Sequence, residues 1–341
     1  MTHNWLLYIA AFACAFAVSL LMTPTARKIS IRLKAIDYPK ARGLHKEPIP
    51  RMGGIAIVLG FMVTMGLLLG FMPELRTLQF AGFIIGGIVI VVIGMIDDIY
   101  HLRARTKLIG QIVATIIVVA TGTRVAFLEW PFPGFLAHLD IPLTMIWIIG
   151  ITNAVNFIDG VDGLAAGVVS IAAMSLSALC IISGSGVAVA FAIALAGACL
   201  GFLPRNFSPA DVIMGDTGSM FLGYVLAVTS IIGAYKGYAV LSIATTVFAL
   251  ALPLFDTAFA ILRRMFSGKP IMMADRGHLH HRLIDKGLSH KKTVLVLYIL
   301  SAATGAIAIL IAIRDLRATI IVVVSLLVLC LMIYAYRKRV G

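Results

Sequence analysis

Apolar runs of about twenty residues, separated by short polar stretches, fill almost the whole chain, and such runs read as membrane-spanning helices. Eleven are predicted, at 5–23, 53–72, 79–96, 108–122, 142–158, 164–183, 186–203, 216–234, 238–262, 293–313 and 316–336. The pattern describes an all-α integral membrane protein, a single polytopic domain over 1–341. Two long loops, 24–52 and 263–292, are expected to contribute to a site. Within 24–52, TARKISIRLKAI reads either as an interfacial helix or as a plain basic flank. Pro253 predicts a kink in the ninth span, beside a lateral groove.

Lys and Arg side with alternate loops. Of 28, the set 24–52, 97–107, 204–215, 263–292 and the tail holds 23. This bias predicts that those loops are cytoplasmic, with the N-terminus outside and the C-terminus inside. The first span has no basic residues ahead of it and Arg27, Lys28, Arg32 and Lys34 behind it, so it reads as retained rather than as a cleaved signal.

Composition fits this picture. The chain is 61% hydrophobic and 13% charged, with mean hydropathy +1.03 and formal charge +13. The basic residues lie between spans, which points to lipid headgroups and phosphates rather than nucleic acid. Cys14, Cys180, Cys199 and Cys330 lie in apolar runs without CxxC spacing, so neither a disulfide framework nor a zinc site is expected.

The polar residues gather on the basic side. A central Asp in an isolated span costs about 2.5–3.5 kcal/mol, yet Asp97, Asp98, Asp159, Asp162 and Asp216 all stand at span ends on that side. Asp97 and Asp98 are adjacent and repel, so one stays protonated unless Arg103, Arg105, Lys107 or a metal supplies a cation; the pair reads equally as an ordinary acidic cap at a membrane surface. If that helix continues, His101 lies one turn on from both. In TNAVNFIDGVDGLA, Asn153, Asn156, Asp159 and Asp162 recur every three residues, and Gly160 and Gly163 loosen the backbone. Such oxygen donors suit a hard cation or a sugar nucleotide, though Asn, Asp and Gly also make ordinary turns. Asn206 and Asp216 flank a short loop, and GDTGS opens the eighth span, where free N–H groups favour an anion and an Asp serves equally as a cap. His278, His280 and His281 lie beside Arg276 and Arg282, a mixture that suits phosphate better than zinc. His45, Lys46 and Arg51 precede the second span as another phosphate-friendly stretch. No P-loop or dinucleotide fingerprint is present.

Taken as a set and in order, MIDD, NAVNFIDGVDGLA, MGDTGS and HLHHRL resemble the polyprenyl-phosphate N-acetylhexosamine-1-phosphate transferase superfamily, in particular its bacterial branch that makes undecaprenyl-diphospho-GlcNAc for cell-surface polysaccharides. The resemblance implies transfer of GlcNAc-1-phosphate from UDP-GlcNAc to undecaprenyl phosphate in the bacterial cytoplasmic membrane, with Mg²⁺ as cofactor and Mn²⁺ as a substitute. It implies Asn156 and Asp216 as metal ligands, Asp97 and Asp98 near the attacking phosphate, and Asp159 and Asp162 around nucleotide and metal. His278, His280 and His281 would stand near the phosphates and sugar. Lys46, Arg51, Asn153, Asn206, Arg276 and Arg282 complete the expected substrate contacts, and a homodimer is compatible with it. The family's acidic motif often ends in Asp or Asn where this chain has His101, so His101 inherits no carboxylate role. The same reaction on UDP-GalNAc or UDP-MurNAc-pentapeptide is the nearest alternative. A secondary transporter is the alternative from another class; it would place its acids near the midplane, often in repeated halves.

Overall fold

A computed structural model of the chain describes residues 5–38, 47–125, 139–233 and 279–314, with isolated positions between 247 and 264. It is built of α-helices: α1 (Trp5–Arg32), α2 (Gly54–Phe71), α3 (Leu78–Tyr100), α4 (Ala104–Ala120), α5 (Asp140–Ile158), α6 (Leu164–Ser183), α7 (Gly186–Asn206), α8 (Gly215–Gly233), a short α9 (Leu279–Asp285) and α10 (His290–Ala312). Eight of them are long and apolar enough to cross a membrane; α4, at 17 residues, is shorter. Helices thus occupy nine of the predicted spans. The span 316–336 and all but isolated positions of 238–262, including the expected kink at Pro253, lie outside the described residues.

α1 is longer than its apolar run. It continues through Pro24 to Arg32, so the TARKISIR stretch extends the first helix instead of forming a separate interfacial one. A two-residue antiparallel ladder follows, β1 (Ile36–Asp37) with β2 (Ile49–Pro50), pairing Ile36 with Pro50.

α8 lies at the centre, against α2, α3, α5, α6 and α7, and nearly all its residues are buried. Lipid tails are as apolar as leucine, so burial alone does not bring these helices together; close packing does. α7 carries Gly197 and Gly201 four residues apart against α1, where an added Cβ would come within 2.5 Å of the Phe12 carbonyl oxygen and 2.2 Å of the Phe16 carbonyl oxygen. Further in, Phe83 stacks on Tyr224 at 5.6 Å between centroids, Phe61 meets Phe221 edge-on at 5.6 Å, and the Tyr224 hydroxyl donates to the Phe83 carbonyl at 2.7 Å. Because successive helices run up and down, the starts of α2, α4, α6 and α8 meet the ends of α3, α5 and α7 at one face. That face carries the polar residues.

Candidate active site

The site starts from a helix terminus. Gly215 has φ +73°, a left-handed conformation that glycine adopts without cost, and it also leaves no room, since a Cβ there would meet the Arg51 carbonyl oxygen at 1.9 Å and both Asp98 carboxylate oxygens at 2.6 Å. The chain turns at Gly215 and starts α8 with two backbone N–H groups aimed at α3. Gly94, one turn before the acidic pair, lets α3 approach the backbone of Thr217.

Asp98, fully buried, fills that terminus. Its Oδ1 accepts from Asp216 N at 2.9 Å, and its Oδ2 accepts from Thr217 N at 3.0 Å and from Thr217 Oγ1 at 2.6 Å. Arg51 Nε donates to Oδ1 at 3.2 Å. The anion at the start of α8 is therefore the protein's own carboxylate, and these two amides are not open to a substrate phosphate. A carboxylate at a helix N-terminus also meets the favourable end of the helix dipole.

Arg51 is held from below. Its N–H donates to the Ala35 carbonyl, Ile213 N to the Pro50 carbonyl, and Gly53 N to the Ile213 carbonyl, all at 2.8–3.1 Å. Its guanidinium bridges Asp98 and Asp216, the latter at 3.5 Å. Burial works against its charge, but Asp98 and Asp216 outweigh burial and keep it firmly protonated. α3 ends at Tyr100 instead of continuing; His101 adopts φ 54°, and its Nε2 lies 3.4 Å from Arg51 Nη1.

Lys107, in the first turns of α4, supplies the second cation. Its Nζ lies 2.7 Å from Asp216 Oδ2 and 3.4 Å from Asp97 Oδ2, while Asp97 Oδ1 accepts from Leu102 N at 2.8 Å. Asp97, Asp98 and Asp216 each present an oxygen within 4.8 Å of the others, a cluster that could hold a metal ion.

Asp159 caps the end of α5, half-buried, and is near enough to Asp216 and Asp98 to feel their charge. Burial pushes its carboxyl up to about 8, and Asp216 and Asp98 push in the same direction. An acid raised in the fold stabilises it fully only below its unfolded value near 3.9, and that contribution is lost as pH rises through about 8. Asp159→Asn fixes the neutral form. Its advantage in melting temperature over wild type is expected to grow between about pH 5 and 8 and to level off above. A flat or opposite trend would show an ionised carboxylate held by a partner.

The amides of α5 are anchored individually. Asn156 Nδ2 donates to Ser219 Oγ at 2.8 Å, leaving its oxygen as an acceptor. Asn153 and Gln111 exchange hydrogen bonds at 2.7 and 3.3 Å. The next turn is fixed as well. Asp162 Oδ2 accepts from Ala210 N at 3.1 Å, and Asn206 accepts from Gly163 N and donates to the Val212 carbonyl. Tyr298 of α10 donates to the Gly163 carbonyl.

The structure thus brings Arg51, Asp97, Asp98, Asn156, Asp159 and Asp216 to one face, with Asn153, Asp162 and Asn206 in the network that shapes it. Lys46, Arg276 and His278 lie outside the described residues. His280 and His281 belong to α9, with side chains outside the description, and Arg282 is exposed. Sequence reasoning gave no part to Gln111, Thr217 or Tyr298. Gln111 had a signal, four residues after Lys107 on the same helical face.

Residues 80–234, which hold the acidic pair, the Asn/Asp segment and GDTGS, match the family described as "Glycosyl transferase family 4". The chain is 40% identical over 299 residues to a Bacillus subtilis protein named "Probable undecaprenyl-phosphate N-acetylglucosaminyl 1-phosphate transferase", covering 86% of this chain and 81% of that one. It is 38% identical over 317 residues to the "Decaprenyl-phosphate N-acetylglucosaminephosphotransferase" of Mycolicibacterium smegmatis, covering 84% and 77%. It is 31% identical over 324 residues to the "Phospho-N-acetylmuramoyl-pentapeptide-transferase" of Desulforudis audaxviator, covering 85% and 93%.

Proposed function

Because the chain belongs to glycosyl transferase family 4, among the polyprenyl-phosphate hexosamine-1-phosphate transferases, we propose that it transfers GlcNAc-1-phosphate from UDP-GlcNAc to undecaprenyl phosphate and releases UMP. The observation that carries this reading is the cluster of Asp97, Asp98 and Asp216, interleaved with Arg51 and Lys107, at one end of a membrane-embedded bundle that is 40% identical to a protein named for this reaction.

The chemistry asks two anions to meet. An oxygen of the lipid phosphate forms a bond to the phosphorus bearing the sugar, and the bond from that phosphorus to the bridging oxygen breaks, so UMP carries the electron pair away. A phosphomonoester loses its second proton near pH 6, so the attacking phosphate is already largely dianionic at neutral pH and requires no general base. Catalysis then comes from positioning and from neutralising charge. Arg51 and Lys107 supply positive charge at the site. Burial, with Asp216 and Asp98 nearby, pushes the Asp159 carboxyl toward its neutral form, which limits the negative charge at the site.

The donor set fits Mg²⁺, which prefers oxygen ligands and keeps several waters. Asp216 and Asp97, with the amide oxygen of Asn156, would hold it, and Mn²⁺ would fit the same donors. Asp98 fits less well, since four hydrogen bonds already occupy its oxygens. When bound, the ion would neutralise charge on the donor diphosphate.

The acceptor's prenyl chain would lie along α5. An apolar cavity of about 320 Å³ is lined by Val125, Leu143, Ile146, Trp147, Gly150 and Leu254. Gly150 is six residues from Asn156, about 9 Å along the helix. Leu254 belongs to the predicted ninth span, where a lateral groove is expected. The bias of Lys and Arg to the loops on this face supports a cytoplasmic orientation for it. Acids at one face, rather than at mid-depth, favour a transferase over a transporter.

UMP release tests the reading. The purified chain is expected to release UMP from UDP-GlcNAc only when polyprenyl phosphate and Mg²⁺ are both present, and more slowly from UDP-GalNAc or UDP-MurNAc-pentapeptide. No release, or release without the lipid, would refute it.

A further inference from the structure

We propose that Lys107 is an exchangeable counter-ion of the Asp97–Asp216 pair, and that a divalent cation enters the site by displacing it. The proposal rests on the metal-dependent reading above and goes beyond it, because it assigns the two cations of the site different jobs.

The ammonium of Lys107 lies between the two carboxylates, 2.7 Å from Asp216 and 3.4 Å from Asp97. That is where an ion bridging them would sit. Its own helix does not favour it there. Lys107 stands four residues after the Arg103 N-cap, with Arg105 between, and the first turn of α4 has no acidic residue. Cations at a helix N-terminus oppose the helix dipole. The acids alone therefore hold Lys107 in place.

Arg51 differs on every count. Its backbone is tied to Ala35 and its neighbours to Ile213, and its planar head bridges Asp98 and Asp216. The lysine has a flexible stem and a compact, readily hydrated head, and its side chain is 24% exposed against 17% for Arg51, so it has water to swing into. Charge leads to the same exchange. Three carboxylates against Arg51 and Lys107 leave one negative charge, and a divalent ion in place of the lysine closes the balance. The displaced ammonium is then free to meet an anionic substrate.

Mn²⁺ binding to the purified full chain, followed by loss of the free-ion electron paramagnetic resonance signal, tests this. Lys107→Gln removes the competing charge and is expected to bind Mn²⁺ on the order of tenfold more tightly than wild type. Asp216→Asn is expected to abolish binding in both backgrounds, which assigns the signal to this site. Equal or weaker Mn²⁺ binding by Lys107→Gln overturns the proposal, as does binding that survives Asp216→Asn. Should Lys107→Gln not fold, Lys107→Arg serves instead: its forked head holds both carboxylates more firmly, so Mn²⁺ affinity is expected to fall several-fold, and unchanged affinity overturns the proposal. UMP release on the same samples separates the two readings. A wild type that binds Mn²⁺ with the expected competition but releases no UMP removes the transferase assignment and leaves the exchange standing.

Discussion

Asp98→Asn is expected to unfold or severely destabilise the protein, by about 3–5 kcal/mol, the cost of removing one partner from a buried ion pair. The carboxylate is fully buried and accepts four hydrogen bonds, from Arg51 Nε, Asp216 N, Thr217 N and Thr217 Oγ1. An asparagine has one acceptor oxygen, and its NH₂ group would point at donors. One of the two buried N–H groups at the start of α8, from Asp216 or Thr217, would face the NH₂ group instead of an acceptor, and the Arg51 guanidinium would lose its charged partner. Domain stabilities are about 5–15 kcal/mol, so the loss takes a large share. Melting temperature and monodispersity in detergent measure it, with turnover expected to fall alongside because Asp216 rides on the same helical turn. A variant that melts like wild type yet is inactive would assign Asp98 to the reaction itself rather than to the support beneath it.

Much of this was legible in the chain. Apolar length gave the helices, and the alternation of basic loops predicted that Asp97, Asp159 and Asp216 share a face, which the bundle shows. The GDTGS stretch read as a helix start, and α8 begins at Gly215. What fills that start was not legible. Phosphate and a carboxylate satisfy the same N–H groups equally well, and only the approach of α3 at Gly94 puts Asp98 there first. The partners of the acidic pair were likewise ambiguous. Three cations follow it closely in sequence, but Lys107 reaches Asp97, and the cation on Asp98 is Arg51, 47 residues away. His101 shows how local such choices are: a helix continuing one more residue would have stacked it below the acids, whereas the left-handed turn there sends its ring to Arg51. Asn206 could be read equally as a sugar contact or a loop brace, and its amide bonds to Gly163 and Val212 depend on contacts that sequence spacing does not encode.

Asp216→Asn is expected to separate reaction from fold: turnover falls by about a thousandfold or more, the scale on which charge placement acts in phosphoryl transfer, while stability falls by only about 1 kcal/mol. Among the described residues, Asp216 is the carboxylate that ion-pairs with both cations, with Lys107 at 2.7 Å and Arg51 at 3.5 Å. Neutralising it removes the acid common to both, yet neither cation is stranded, because Lys107 keeps Asp97 and Arg51 keeps Asp98. The backbone N–H of residue 216 still donates to Asp98, so the start of α8 survives the change. Asp98 and Asp216 lie on opposite sides of the same hydrogen bond, but one supports the helix end and the other faces the ion pairs. Melting curves and UMP release on the two variants together check this division. A large stability loss in Asp216→Asn, matching that of Asp98→Asn, would mean that the acids act as one structural cluster and that the division does not exist.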